Sequence, residues 1–315
     1  MAYLPRCLRP DELYFITSRT IDGAMFLLPT AATTNAIGAV LADAQSRYEV
    51  ELFDFVFLSN HMHLVVRSRA GRIAEFMQYL KANIATEVNR ILGRRGHLWE
   101  RRYTASPILD KAAQVERAIY IYGHGVKEGL VAHAEQWPGL ASVKERLSGR
   151  RPRHPRVDHS GLGRARFRLG AAAVAADAFT RMVSVTLAPW PFLEGLSKSA
   201  ARRRVAELVA EAEARARSAR GGKPALGAPQ VLRQDPWDRP HRPRRPTPNP
   251  LCHAASPERR YEYREAYGRF VDDYRAASQR FRRGMLGTRF PMFAFPPPLP
   301  LRWTTARAGP AARAT

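Results

Sequence analysis

Cysteine is nearly absent from this sequence. Cys7 and Cys252 stand far apart, which leaves no disulfide framework and no cysteine-based zinc site to be read. Long apolar runs are missing too: nothing approaches the roughly 18 to 20 residues of a membrane span. The opening MAYLPRCLRPDEL lacks the apolar core of a signal peptide, so a cytoplasmic protein with no membrane role is expected. No internal repeat is visible. Acidic residues are scarce beside basic ones: 28 Asp and Glu face 51 Lys and Arg, for a formal net charge of +23 and a pI of about 11.0. That excess points to a polyanionic partner, nucleic acid ahead of a membrane surface, with a solvated Arg-rich surface as the plainer alternative.

What is present is organised around Leu52 to Arg67, LFDFVFLSNHMHLVVR, two apolar strand-like runs joined at Ser59-Asn60. Strand alternation puts His61 and His63 on one face and Met62, Leu64 and Val66 on the other. A His-x-His pair on a strand is more often structural than ligating. With a third ligand, however, it forms a metal site with positions left open for water or substrate.

Around this hairpin the pattern reads strand, helix, hairpin, helix, strand, helix. Leu13 to Arg19 is the first strand, and Thr33 to Tyr48 a helix started by the Thr33/Thr34 pair. Glu49 to Leu58 is apolar on both faces, with Leu52, Val56 and Leu58 on one and Phe53, Phe55 and Phe57 on the other, as in a strand covered on each side. His63 to Arg67 pairs with it. Gly71 to Leu92 is helical, followed by the Arg-dense loop GRRGHLWERRY, a strand near Thr104 to Leu109, and a helix from Lys111 to about Val126 capped by Asp110. The expected fold is α+β, an antiparallel sheet with helices on one face.

On the Lys111–Val126 helix, Val115, Ile119, Tyr122 and Val126 make the buried stripe, which leaves Tyr120 and His124 together on another face, one turn apart. Opposite the His61/His63 strand, that face offers a third imidazole and a phenol. The phenol is a poor nucleophile unless a cation is close, which a metal and Lys127 can supply. The plainer account keeps Tyr120 as a half-buried helix tyrosine and His124 as a residue of the Gly123–Gly125 loop.

SNHMHLVV, GHLWERRY and YIYGHGVKEGLV, spaced in this order, resemble the REP-associated tyrosine transposases, part of the insertion-sequence 200-like group of HUH single-strand nucleases. The resemblance covers roughly 13–138 and implies a ferredoxin- or RRM-like HUH core. It also implies that His61 and His63 bind a catalytic Mg²⁺ or Mn²⁺ and that Tyr120 is the nucleophile. His124 stands where the family usually has Asn, as a third metal-side group, and GHG replaces the usual L-N-P. The implied activity is metal-dependent cleavage and rejoining of single-stranded or hairpin DNA through a 5′-phosphotyrosine, by a monomer or homodimer. A protein that keeps this fold and binds DNA or RNA without cleaving is one alternative; a hydrolytic three-His metalloenzyme is another.

Arg94, Arg95, Arg101, Arg102 and Lys127 are the expected phosphate contacts. Trp99 is read either as a platform for an unpaired base, with Tyr103 in the same role, or as the anchor of its loop. The expected division is a catalytic domain over 1–148, a linker and helical extension over 149–220, a Pro/Arg-rich flexible segment over 221–256, and a helix with an extended tail over 257–315. Within these, 149–156 and 233–245 are read as basic contacts to a polyanion, and Ala171 to Pro191 as containing an Ala-rich helix.

Overall fold

Four antiparallel strands carry the site. They are β1 (Tyr14–Arg19), β2 (Glu51–Phe57), β3 (His61–Arg67) and β4 (Thr104–Pro107), in the order β2-β3-β1-β4. The computed structural model describes residues 5–240 and 250–298, and Leu8–Tyr263 form one compact unit. Two helices, α1 (Ala31–Tyr48) and α2 (Ile73–Ile91), alternate with the strands. After β4 come α3 (Lys111–Tyr122) and the single turn α4 (His124–Lys127).

Both faces of the sheet are covered, where helices on one face alone are expected from the sequence. On the first face Ile16, Met62, Leu64 and Val66 meet Val40 and Leu41 of α1 and Phe76, Leu80 and Ile84 of α2. On the second, Phe15, Phe53, Val56 and Val65 meet Ile119 and Tyr122 of α3. The two-sided apolar character of β2 is what this burial requires.

The assignment of faces along β2 differs from simple alternation. The β2–β3 register shifts between Leu52 and Asp54, so Phe53 is the extra residue of a bulge. Leu52 therefore joins Phe55 and Phe57 in the first core, while Phe53 joins Val56 and Leu58 in the second. Fully buried Asp54 accepts from Tyr122 Oη at 2.7 Å, Trp190 Nε1 at 2.5 Å and Arg146 Nε at 3.2 Å. A buried carboxylate persists only when paired and hydrogen-bonded in this way.

The α1 cap is Thr30, whose hydroxyl accepts from Thr33 N at 3.2 Å, one turn earlier than the Thr33/Thr34 pair. Asp110 caps α3 as expected, accepting from Ala113 N at 2.7 Å.

Beyond α5 (Val143–Ser148), the stretch read as a linker contains β5 (His154–Val157). After α6 (His159–Leu169), β5 pairs with β6 (Thr180–Val183). The Ala-rich run thus forms short 3-10 turns and a strand, not a helix. Arg156 carries the reason: at the end of an Arg- and Pro-rich run it ties β5 to the core, bonding Asp43 Oδ2 at 2.6 Å and Glu87 Oε1 at 2.9 Å. Helix α7 (Lys198–Ala219) lays Val205, Leu208, Val209 and Ala212 into the second core. Helices α8 (Ala228–Leu232) and α9 (Pro257–Arg282) follow. The expected basic segment 233–245 and the extended tail lie partly outside the described residues.

In the unit of Met1–Cys7 with Arg264–Thr315, Tyr267 Oη donates to Pro5 O at 2.7 Å and Tyr274 packs on Phe290. Among the described residues no helix is long and apolar enough to cross a membrane.

Candidate metal centre and its tyrosine

β3 pairs with β1 on one side and β2 on the other, which fixes its backbone and presents His61 and His63 on the second face of the sheet. Helix α3 crosses that face. It halts at Gly123 and restarts at His124, where one continuous helix is expected from the periodicity. An added Cβ on Gly123 would sit 3.0 Å from Ala212 Cβ and 3.1 Å from Ala212 O, so the glycine permits the close approach of α7. His124 is thereby buried against the strand histidines.

The ligand nitrogens of His61, His63 and His124 lie within 4.8 Å of one another. His61 Nε2 and His124 Nε2 are 2.7 Å apart. The rings of His63 and His124 have centroids 4.6 Å apart, and Tyr120 stands at 4.8 Å from His124 and 5.2 Å from His63. All four groups therefore converge, as the helix-face reading anticipates.

A chain of hydrogen bonds sets the orientation of these rings. Asn60 Nδ2 donates to Gly23 O at 3.1 Å, which turns Asn60 Oδ1 toward His61 Nδ1 at 2.6 Å. An amide oxygen only accepts, so His61 carries its proton on Nδ1 and directs the Nε2 lone pair into the site. His124 Nε2 is then the donor of the 2.7 Å bond. Thr17 Oγ1 bonds His63 Nδ1 at 2.9 Å and leaves His63 Nε2 as the inward nitrogen, buried and without a partner. His124 Nδ1 is likewise buried without a partner. Asn60 and Thr17 escape sequence reasoning as orienting residues; the signal was Asn60 lying next to the His-x-His pair.

Burial pulls the His61 imidazole down to about 4, and holds His63 and His124 well below the usual histidine range. For His61, nearby Arg19 and Lys127 add to burial; for His63, the other two imidazoles come next. Three imidazoles kept neutral, two with an orphaned nitrogen, fit a divalent cation. An all-nitrogen set suits Mn²⁺ or Zn²⁺ better than oxygen-preferring Mg²⁺. Burial, with Glu128 adding and Arg117 opposing, pushes the Tyr120 phenol up to about 12. Lys127 Nζ and the Arg117 guanidinium each lie 5.0 Å from the Tyr120 ring centroid. Among the described residues the Tyr120 hydroxyl has no hydrogen-bond partner.

The arginine loop is less uniform than its composition implies. Arg94 bonds Asn89 Oδ1 of α2 and His97 O and covers the Phe26 ring at 4.1 Å, so its head is engaged by the protein itself. Trp99 is half-buried and donates Nε1 to Lys81 O at 2.9 Å, the anchoring role. Tyr103 is buried at 6% exposure, packed in the first core and not offered to a base. Arg95, Arg101 and Arg102 are exposed, and Arg101 Nη2 is 3.1 Å from Glu100 Oε1. Outside this loop, a cleft of about 450 Å³ is lined by Arg19, Asn60 and His61.

Fold and site together define an α+β domain that gathers three imidazoles and a helix tyrosine on one face of an antiparallel sheet. Residues 28–122 match the family model described as transposase IS200 like. A solved REP-associated tyrosine transposase bound to a REP hairpin is similar at 16% identity, covering 47% of this chain and 86% of its own, with a TM-score of 0.41. A Deinococcus radiodurans R1 protein described as a transposase aligns at 18% identity, over 38% of this chain and 95% of its own, with a TM-score of 0.28. No curated protein matches the chain significantly.

Proposed function

We propose that the chain is a DNA strand transferase that cleaves and rejoins single-stranded or hairpin DNA through Tyr120. The observation that carries this reading is the convergence of Tyr120 with the histidine trio, its ring 4.8 Å from His124 and 5.2 Å from His63.

His61, His63 and His124 hold a divalent cation, Mn²⁺ or Mg²⁺. When bound, it supplies positive charge that polarises a phosphate oxygen of the strand. Tyr120 Oη attacks the phosphorus as its proton passes to solvent. A new O–P bond forms, the P–O3′ bond breaks, and the 3′-oxygen takes up a proton. The strand downstream stays joined to Tyr120 by its 5′-phosphate. A phosphodiester is exchanged for another of similar energy, so an incoming 3′-hydroxyl reverses the step and rejoins the strand without a nucleotide cofactor. Lys127 and Arg117, beside the phenol ring, favour its ionised form as the bond is made.

The test is to incubate the protein with Mn²⁺ and a labelled DNA hairpin and resolve products on a denaturing gel. A covalent protein–DNA adduct that disappears in Tyr120→Phe is expected. An adduct persisting in that variant removes Tyr120 from the role. Cleavage with no adduct points to hydrolysis by a bound water, and tight binding with no cleavage under any divalent cation to a binding protein.

A further inference from the structure

A second cleft, of about 240 Å³, runs between α3 and α7 on the side of Tyr120, and none of the three histidines lines it. Its cations are Arg117, Lys127 and Arg215. They are not equivalent. Arg215 is compensated twice, by Glu116 Oε2 at 2.9 Å and by Glu211. Arg117 and Lys127, among the described residues, have neither an ion pair nor a hydrogen bond. Arg117 is only half exposed, with its guanidinium laid over the rings of Tyr120 at 5.0 Å and Phe15 at 5.4 Å.

A partly buried guanidinium with no carboxylate or carbonyl to hold it is costly to keep, and a fold that keeps one has its five donors available for an external anion. The opposite wall is Ala212, Ala216 and Ala219 of α7, small side chains that leave room beside the tyrosine. This wall lies outside the segment 28–122 that matches the family model.

We propose that Arg117 and Lys127 form a seat for a second phosphate of single-stranded DNA, the one adjoining the scissile phosphate on the strand that stays joined to Tyr120. The proposal rests on the strand-transferase reading in one respect, the identity of the scissile phosphate. The retained strand has to leave past Tyr120, and the cleft beside that residue carries two uncompensated cations. Arg117 grips through its planar fork, Lys127 as a point charge at the solvent edge. Helix α7 thereby becomes part of the DNA-binding surface.

The test uses the full chain in a Tyr120→Phe background, so that binding is read without cleavage. Fluorescence anisotropy measures affinity for a DNA hairpin in which each phosphate in turn is replaced by a neutral methylphosphonate. One such replacement beyond the scissile position should weaken binding several-fold. In Arg117→Gln that same replacement should cost nothing further, and the slope of log affinity against log salt should fall by about 0.7, one single-strand phosphate contact. Lys127→Gln should act alike, Arg117→Lys should restore part of the loss, and Arg215→Gln, whose charge is already compensated, should change neither measurement. Melting curves establish that each variant is folded. An Arg117→Gln protein with an unchanged slope and phosphate profile overturns the proposal, as does an Arg215→Gln loss equal to that of Arg117→Gln, which would mark general attraction and no seat. Adduct formation by the protein with Tyr120 intact is scored separately. A seat found in a protein that forms no adduct refutes the strand-transferase reading while leaving the phosphate site standing.

Discussion

His61 Nε2 and His124 Nε2 meet at 2.7 Å across 63 residues of sequence, and the proton between them belongs to His124 because Asn60 Oδ1 has already claimed the proton on His61 Nδ1. The consequence is a pre-oriented lone pair on His61 held by a side chain that touches no metal. Asn60→Ala should weaken Mn²⁺ binding roughly 10- to 100-fold, the usual effect of removing an orienting partner. Isothermal titration on the folded variant measures it, and an affinity equal to the parent's refutes the orienting role. In the same titrations the parent should bind Mn²⁺ and Zn²⁺ more tightly than Mg²⁺, and His124→Asn, which offers an amide oxygen, should narrow that gap.

Acid should destabilise the protein earlier than carboxylate protonation alone predicts. His61 is held down to about 4 and His63 and His124 well below their ordinary value, each by burial first, while an unfolded chain protonates near pH 6.5. Between roughly pH 6.5 and 4 the unfolded state thus binds more protons. This share of stability is complete above about pH 6.5 and is lost as pH falls toward 4. Urea midpoints taken from pH 7.5 to 4.5 without divalent cation should fall steadily, and less steeply in His61→Gln. A midpoint constant across that range would falsify the neutral-imidazole assignment.

Asp54 is a different kind of risk. Asp54→Asn strips the charge that compensates Arg146 in a site with no solvent access, and the expected loss is about 3–5 kcal/mol. Tyr122→Phe leaves the carboxylate with its two other donors and should cost only about 1–3 kcal/mol. Chemical denaturation of both variants gives the ratio; equal losses contradict the network as described.

Gly38 tests the docking of β5 on α1. Glycine to alanine in a helix ordinarily stabilises by about 1 kcal/mol. Here a Cβ would lie 2.5 Å from the His154 ring, so Gly38→Ala should destabilise by about 1–3 kcal/mol instead. In a His154→Ala background the same change should turn stabilising. A penalty that survives the second substitution rules out the ring as its cause.

Much of the site was legible because strand and helix periodicities are local. Alternation alone separates His61 and His63 from Met62 and Leu64, and the 3.6-residue repeat sets Tyr120 and His124 apart from Ile119 and Tyr122. The break at Gly123 was not legible, since it answers to the approach of Ala212 from 89 positions away. Nor was the bulge at Phe53: an inserted residue leaves an apolar run looking continuous, and only the partner strand reveals the shift. Residues 149–156 misled for a related reason. Their Arg and Pro content reads as a linker along a polyanion, whereas Arg156 is drawn into the body by two carboxylates, Asp43 and Glu87, that no local pattern connects to it.

β1 lies outside the segment 28–122, yet it is the strand that joins β3 to β4. A gene fragment trimmed to the matched residues would encode a sheet cut lengthwise, with β4 lacking its neighbour and the histidine strand exposed along one edge. Asp54 extends the requirement in the other direction, because two of its donors come from Arg146 and Trp190. The shortest expressible piece that keeps the histidine trio in place must start ahead of Tyr14 and continue past residue 190. Boundaries for truncation, fusion or domain transplantation are therefore dictated by strand order and a buried carboxylate, well beyond the reach of family similarity.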